Sequence, residues 1–218
     1  YHYLSQYNVS WNERNLERYE KAWKLWPNKM DPQSLLELVF LAHVKVALNH
    51  NDAEPVLRAL EASRPNEALS LLVLWHWQQE RSAAAVQALE RLLENLKTDP
   101  WGMSMIISPA IELADDLVEW QPTAGERILN ALSEPFAARA YDDDRKRMAV
   151  NVSRFLTADR AVSSLLAFEP HVLWDEWFLA YRERVYADVN HPLAEKAKRE
   201  LELFLANEGR TPEEKTTE

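Results

Sequence analysis

Four prolines divide most of the chain into equal steps. Pro65, Pro100, Pro135 and Pro170 lie 35 residues apart, and a polar residue precedes each of them. Proline ends or interrupts helices, because it lacks a backbone N–H and its ring clashes with the preceding turn. A fixed spacing of this length indicates internal repeats. The spacing therefore predicts one structural unit per step, and such units must stack because one alone cannot bury its apolar face.

Glycine is nearly absent from the chain, which contains only Gly102, Gly125 and Gly209. Glycine supplies the positive φ angles that tight β-hairpins and phosphate-binding loops need, so neither a β-sandwich nor a dinucleotide-binding domain is expected. Ala, Leu, Glu, Arg and Lys dominate instead, and all five are good helix formers. The composition thus predicts an all-α fold.

Apolar stripes at helical spacing, separated by prolines and N-cap residues, predict a succession of long and short helices. The predicted helices cover residues 10–26, 32–50, 53–63, 66–80, 83–97, 103–120, 122–133, 137–156, 158–168, 174–185 and 193–207. We expect Asp31, Asp52, Ser82 and Thr157 to cap four of these helices through their side-chain oxygens. Pro109 lies near the start of the helix at 103–120 and predicts a kink or a restart there.

The short helices ahead of the prolines resemble one another. Three begin with a small residue, Ala53, Ala124 or Ala158, and carry apolar residues about four to eight positions later. With the step length and the prolines that end each step, this pattern resembles the tetratricopeptide-repeat superfamily over residues 10–208. The resemblance implies a right-handed α-α superhelix, a solenoid of about five antiparallel helix pairs, over residues 1–209. The polar residues 210–218 are expected to form a disordered tail.

The resemblance also implies a function. In this superfamily the first helices of successive pairs line a concave groove that binds peptides or extended segments. The chain is therefore expected to be a non-catalytic scaffold that binds a protein or peptide. Two alternatives stay open: a ligand-binding or enzymatic helical domain with a pocket lined by His and Trp, and a structural oligomerisation domain. Because the chain opens with Tyr1 rather than Met, we expect it to be excised from a longer protein with an attached domain.

Charge and composition exclude several other partners. The formal net charge is −10, and the basic residues are scattered among acids, so nucleic acid is not an expected partner. No apolar run approaches the ~18–20 residues that cross a bilayer, so membrane insertion is not expected either. An acidic surface predicts a soluble protein. The chain has no Cys, which leaves its compartment open between cytoplasm, the favoured one, and periplasm.

The six histidines predict neither a metal site nor a cofactor, because no two stand at the i, i+4 spacing of helical zinc ligands. His43 and His76 lie in apolar stretches of long predicted helices, where a histidine is a core or groove residue. Trp75 and Trp77 diverge by about 200° on one helix and cannot share one core. One of them, here taken as Trp77, is expected to line a groove. No motif of a known catalytic type supports an enzyme.

Two arginines stand one repeat apart on predicted first helices. Arg147 and Arg182 are separated by 35 residues, so a stacked repeat would place both on one surface. If both point into a groove, they form a two-rung basic ladder suited to a carboxylate-bearing peptide. The alternative is that each arginine pairs with a nearby acid, as Asp143 and Arg147 can at i, i+4. The acidic run 142–144 is expected to favour the positive end of a helix dipole rather than to bind a cation.

Overall fold

The computed structural model describes residues 17, 18, 21, 24, 25, 34–169 and 171–208. Every regular element in these ranges is helical and none is a strand, which confirms the predicted all-α class. The α-helices are α1 (Leu35–Ala47), α2 (Ala53–Glu61), α3 (Pro65–Gln78), α4 (Ser82–Leu96), α5 (Ser104–Glu112), α6 (Ala114–Trp120), α7 (Gly125–Ala131), α8 (Asp142–Ser153), α9 (Ala158–Leu166), α10 (Glu176–Asp188) and α11 (Ala194–Asn207). Turns of 3-10 helix at Pro122–Ala124 and Arg139–Tyr141 precede α7 and α8. None of the described helices is long and apolar enough to span a membrane.

Some sequence-based expectations fall outside the described residues. They concern most of the helix predicted at 10–26, the cap at Asp31, the proline at position 170 and the tail at 210–218. Residues 17, 18, 21, 24 and 25 are helical, in agreement with the first predicted helix.

The helix N-termini differ from the predicted caps. Ser34 caps α1, since its Oγ accepts a 3.2 Å hydrogen bond from the backbone N–H three residues later. Asp52 precedes α2, but its carboxylate accepts a hydrogen bond from Lys45 Nζ instead of capping the helix. Ser82 is the first residue inside α4, and neither it nor Thr157 makes a side-chain cap bond within the described structure. Tertiary ion pairing thus replaced a predicted local cap.

The predicted helix at 103–120 is interrupted, although not at its proline. Pro109 lies inside α5, and the helical pattern breaks four residues later at Leu113, which ends α5 and precedes α6. A proline removes one backbone N–H and crowds the carbonyl four residues before it, so it perturbs the preceding turn and does not account for a break at Leu113. The restart therefore lies at Ala114 and not at Pro109, where it was expected.

Three helices end without glycine in a left-handed backbone conformation. Asn49, Glu80 and Asn190 have φ angles of 52°, 56° and 51° at the ends of α1, α3 and α10. Each helix closes with the same pair of backbone bonds, illustrated at α3 by Glu80 N–H to Trp77 O and Arg81 N–H to His76 O. This is the Schellman arrangement, which satisfies the last carbonyls of a helix. Asn and Glu residues therefore adopt the left-handed conformation at these three helix ends, where glycine is the usual residue.

The chain forms two compact units, Tyr1–Met148 and Ala149–Glu218, and the boundary lies within α8. In the first unit, consecutive helices pack in pairs: α1 against α2, and α3 against α4. The helices that open each step also pack side by side, α1 along α3 and α3 along α5. We call α1, α3, α5 and α8 the first helices, and α2, α4 and α7 the second helices. The core between them is rich in fully buried leucines: Leu57, Leu60, Leu69, Leu71, Leu89, Leu92, Leu93 and Leu96.

The described prolines of the 35-residue series lie between helix pairs, but in different settings. Pro65 is the first residue of α3, a position that suits proline because its missing N–H would have no helical partner there. Pro100 lies in the irregular segment before α5, and Pro135 in the one before the 3-10 turn at Arg139–Tyr141. The spacing therefore marks the boundaries between pairs, whereas the local turns are not identical.

The second unit has its own core, in which α9, α10 and α11 contribute most of the buried apolar side chains. Phe168 and Phe178 meet edge to face with ring centroids 5.0 Å apart. Leu179, Leu201 and Leu205 form a smaller cluster between α10 and α11. The packing of α9 and α11 against α10 buries these apolar side chains and stabilises this unit.

Candidate functional site

Arg182 lies inside the second unit, in a network of ion pairs. Its residue exposure is 0 %, and its guanidinium donates to Glu169 through Nε (2.7 Å) and Nη2 (3.0 Å). Nη1 donates to Glu200 at 2.6 Å. Tyr186 and Lys196 also donate to the Glu169 carboxylate, at 2.9 and 3.2 Å. Burial raises the pKa of Glu169, but the hydrogen bonds from Arg182, Tyr186 and Lys196 outweigh it and lower this pKa to about 2.

This position differs from the expectation that Arg182 lines a groove. All three guanidinium nitrogens of Arg182 donate to internal carboxylates. For Arg182 this corresponds to the other possibility, that the arginine pairs with nearby acids. Arg147 is exposed and belongs to the first unit, near the carboxylate of Glu112. A buried cation needs such partners, because an unpaired charge in a protein interior is very costly. The two arginines therefore occupy different environments.

The two candidate histidines are both on first helices. His43 is buried in α1, and burial lowers its pKa, because the charged imidazolium is disfavoured there. His76 is half-buried near the end of α3, and burial and then the charge of Arg81 lower its pKa. Its ring lies 5.2 Å from the Trp75 ring, and its Nδ1 has no hydrogen-bond partner among the described residues. Both imidazoles are consequently biased towards the neutral form.

The two tryptophans of α3 point in different directions, as their spacing requires. Trp75 is 2 % exposed and belongs to the core, with the Arg81 guanidinium 5.2 Å from its ring centroid. Trp77 is half-buried and meets Trp120 of α6 edge to face, with centroids 4.9 Å apart. Trp120 is itself partly exposed. This pair places an aromatic surface at the end of α3.

Buried acceptors without donors lie at the start of α3. Glu67 is 1 % exposed, and its Oε1 accepts no hydrogen bond from any residue that the structure describes. The guanidinium of Arg64 lies 3.8 Å from this oxygen, too far for a hydrogen bond. The neighbouring Asn66 donates through Nδ2 to the backbone oxygen of Trp101, whereas its Oδ1 is buried and has no described donor. Unpaired buried acceptors are costly and therefore need an explanation.

A phenol and a second carboxylate lie close to Glu67. The hydroxyl of Tyr141 donates a 3.0 Å hydrogen bond to the backbone oxygen of Gly102. Burial raises the pKa of Tyr141, and the negative charges of Glu67 and Asp144 raise it further. Both carboxylates therefore act electrostatically on this phenol. Asp144 also accepts a 2.9 Å hydrogen bond from Ser108 Oγ. We call Glu67, Tyr141 and Asp144 the acidic site.

Glu112 extends this negative region along the first helices. Burial raises its pKa, and the nearby charge of Asp144 raises it further, whereas Arg147 acts in the opposite direction. Glu112 stands 35 residues after Trp77 and 35 before Arg147. The three residues lie on α3, α5 and α8, although at different distances from the starts of these helices.

Burial and nearby carboxylates raise the pKa values of both Glu112 and Tyr141. No group of three or more His, Asp or Glu side chains that could hold a metal ion occurs among the described residues.

The sequence did not single out Glu67, Tyr141 or Glu112. Counting back from Arg147 in steps of 35 residues would have identified Glu112 and then Trp77. Asp144 was assigned to the first turn of a helix, where it does lie, but its bond to Ser108 was not foreseen. Comparison with protein-family models, curated proteins and solved structures finds no match to this chain.

Proposed function

We propose that this chain is a non-catalytic helical-repeat scaffold of the tetratricopeptide-like kind, which binds a protein or peptide segment along its first helices. The observation that carries the proposal is the side-by-side packing of α1 with α3 and of α3 with α5. Such packing brings residues one step apart onto one face of a stack. The proposal includes a right-handed superhelical arrangement of the helix pairs.

The chemistry of that face supports a peptide ligand. Trp77 supplies a partly exposed aromatic ring, and aromatic residues are frequent binding hot spots. Glu112 and Arg147 follow at intervals of 35 residues and offer one acceptor and one exposed donor. A peptide backbone and its side chains need this mixture of apolar and polar contacts.

A selection of random displayed peptides on the immobilised full chain tests the proposal. We expect enriched peptides whose synthetic forms slow amide hydrogen exchange in α3 and α5, because a bound segment would protect the first helices. A failure to enrich any peptide, or protection confined to the second helices α2, α4 and α7, contradicts the proposal.

A pair of tryptophan variants provides the matched control. Trp77→Ala should weaken peptide binding by about 30-fold or more, since truncating an aromatic hot spot typically costs 2 kcal/mol or more. Trp174→Ala removes an exposed tryptophan from the second unit and should leave the affinity unchanged.

The oligomeric state of the chain, measured by sedimentation with and without peptide, separates a binding module from the alternative of an oligomerisation domain. Equal effects of the two variants would argue against a site on the first helices.

A further inference from the structure

We propose that an exposed surface of the second unit binds an acidic protein segment that carries an aromatic residue. We call this surface the arginine–aromatic surface, and it consists of Arg154, Phe155, Trp177, Tyr181 and Arg184. All five residues belong to the second unit, whereas the Trp77 site proposed above belongs to the first. The surface is therefore a binding site in addition to that one, and each can be tested without the other.

An unbroken series of ring contacts joins the five residues. The guanidinium carbon of Arg154 lies 5.3 Å from the ring centroid of Trp177 and 5.5 Å from that of Phe155. The rings of Trp177 and Tyr181 stack with their centroids 5.5 Å apart and an interplanar angle of 10°. The guanidinium carbon of Arg184 lies 5.4 Å from the ring centroid of Tyr181. Each of the two stacked rings thus contacts one cation.

Two elements of the second unit position these side chains. Trp177, Tyr181 and Arg184 follow at steps of four and three residues on α10, so they share one face of that helix. Arg154 and Phe155 directly follow the last residue of α8. Nε of Arg154 donates a 3.1 Å hydrogen bond to the backbone oxygen of Asn151, which orients the guanidinium at the helix end. The surface is therefore ordered before any ligand arrives, and this lowers the entropic cost of binding.

The surface is open to solvent although its base is buried. Trp177 is 42 % exposed and Phe155 is 39 % exposed, whereas the Tyr181 ring beneath them is buried. Both arginines are exposed as well. Partly exposed tryptophans held in place by neighbouring rings are frequent hot spots of protein interfaces, because they offer a large apolar area with few rotatable bonds.

The two guanidiniums determine the charge of the ligand. A guanidinium stacked on an aromatic ring keeps N–H groups at its edge that can donate to a carboxylate. Among the residues that the structure describes, no carboxylate lies within ion-pair distance of Arg184. Burial raises the pKa of Tyr181, whereas a hydrogen bond with Ser153 and the charges of Arg154 and Arg184 act to lower it, so both cations act on this phenol. The surface is thus locally positive on a chain of net charge −10, and it complements an acidic ligand.

The series of contacts also limits the spacing of the ligand's carboxylates. The contacts that lead from Arg154 through the two stacked rings to Arg184 are each 5.3–5.5 Å long. Two carboxylates within about five residues of an extended segment can therefore reach both cations. An aromatic residue between those carboxylates packs on the exposed ring of Trp177.

Single-stranded nucleic acid also combines aromatic bases with negative charge. Its continuous phosphate backbone, however, needs many cations along its path, and this chain is strongly acidic overall. A short peptide needs only the two cations of the surface. The observations therefore favour a peptide over an oligonucleotide.

The experiment selects random displayed peptides on the immobilised full chain and removes those that also bind its Trp177→Ala variant. The remaining peptides are synthesised with a fluorophore, and their affinities are measured by fluorescence anisotropy. We expect an aromatic residue with Asp or Glu on both sides, within about five residues of one another. Replacing these acids by Asn or Gln in the peptide should weaken binding to the unaltered chain by about ten-fold or more. This measurement does not depend on the folding of any protein variant.

Protein variants then locate the site, after circular dichroism has shown that each is folded. Arg184→Gln and Arg154→Gln should each weaken binding of the acidic peptide by about ten-fold. The matched control is Arg199→Gln, which removes the same charge from an exposed position of α11 in the same unit. Its effect should stay within about two-fold, because a distant exposed charge is screened by salt.

Several outcomes would overturn the inference. One is selected peptides that bind without acidic residues, and another is an equal loss of affinity in Arg184→Gln and Arg199→Gln. A fluorescent oligothymidylate that binds more tightly than every selected peptide, and is released by Trp177→Ala, would assign the surface to nucleic acid instead. If no peptide depends on Trp177, the surface is not a peptide site, whereas the scaffold fails only if no peptide depends on Trp77 either.

Discussion

The side-chain amide of Asn66 donates a 2.9 Å hydrogen bond to the backbone oxygen of Trp101, the residue one 35-residue step later. Asn66 follows Pro65 and Trp101 follows Pro100, so the bond joins equivalent positions of consecutive steps. The same amide nitrogen also approaches Asp99 Oδ2 at 3.2 Å. A completely buried asparagine thus fastens the entry of α3 to the loop before α5.

Replacing Asn66 tests this connection. Asn66→Ala leaves the backbone oxygen of Trp101 without its donor and opens a small cavity at a buried site. We expect a loss of about 2–3 kcal/mol in the free energy of unfolding, measured by urea denaturation. Asn130→Ala, at an exposed position of α7, is the control and should change that free energy by less than about 0.5 kcal/mol. Similar losses in both variants would mean that the buried bond adds little stability.

Arg182 is expected to be the most sensitive charged residue of the second unit. Arg182→Ala removes the buried cation shared by Glu169 and Glu200 and leaves these two partly buried carboxylates with the half-exposed Lys196 beside them. Breaking a buried ion pair in this way costs about 3–5 kcal/mol. Thermal unfolding followed by circular dichroism should show a large destabilisation. Arg199→Ala, an exposed neighbour on α11, should have little effect, and an equally mild effect of Arg182→Ala would contradict the network.

Acid should weaken the same network. Burial raises the pKa of Glu169, but its hydrogen-bond donors lower it further, to about 2 from an ordinary value of 4.5. Between these values the unfolded chain binds more protons than the folded one, so folding stability falls as the pH drops from about 4.5 towards 2. The stabilisation is fully present above this window and amounts to about 3 kcal/mol. Urea denaturation across this pH range measures it, and Glu169→Gln should flatten the dependence.

Much of the fold followed from local signals in the sequence. Apolar spacing and prolines predicted the helices from α1 to α11 within a few residues, except that α5 and α6 were predicted as one helix, because helix formation depends on short-range periodicity. Trp75 and Trp77 diverged as the helical rotation requires, since that rule needs no tertiary information. The step of 35 residues also predicted where the boundaries between pairs fall.

The candidate site was predicted less well, because its residues interact over long separations. Asp52 was expected to cap α2, but Lys45 on the preceding helix competes for its carboxylate. Sequence spacing left two roles open for Arg182, a groove-lining arginine or a partner of a nearby acid, and could not identify Glu169 and Glu200 as its partners. Glu67 carries no motif at all, and what distinguishes it is burial with one carboxylate oxygen, Oε1, that has no hydrogen-bond donor among the described residues. Ion pairs between residues that are far apart in the sequence leave no periodic pattern from which they could be predicted.

Replacing Glu80 by glycine should stabilise the protein. Glu80 ends α3 with a φ of 56°, a conformation that costs a residue with a β-carbon about 1–2 kcal/mol and glycine nothing. The greater flexibility of glycine in the unfolded chain offsets part of this gain. We therefore expect Glu80→Gly to raise the free energy of unfolding by about 0.5–1 kcal/mol. Gln79→Gly, at a φ of −83°, should lower it, and destabilisation by both variants would contradict the strain at Glu80.

The contact between Trp77 and Trp120 can be isolated by a double-mutant cycle. Their rings meet edge to face at 4.9 Å, an arrangement in which the positive edge of one ring faces the negative face of the other. We expect a coupling free energy of about 0.5–1.5 kcal/mol from the unfolding of Trp77→Ala, Trp120→Ala and the double variant.

A second cycle controls for the loss of tryptophan itself. Trp101 is 75 % exposed, so the effects of Trp77→Ala and Trp101→Ala on unfolding should add within about 0.5 kcal/mol.

Measuring the peptide affinity of the same variants then distinguishes a structural pair of tryptophans from a binding surface. If Trp77 contacts the ligand, Trp77→Ala lowers affinity whether or not Trp120 is present, because the ring itself is lost. If Trp120 only orients the Trp77 ring, Trp120→Ala weakens binding in the presence of Trp77 and has no further effect in its absence. Additive effects on affinity in the first cycle would show instead that the two rings contact the ligand independently.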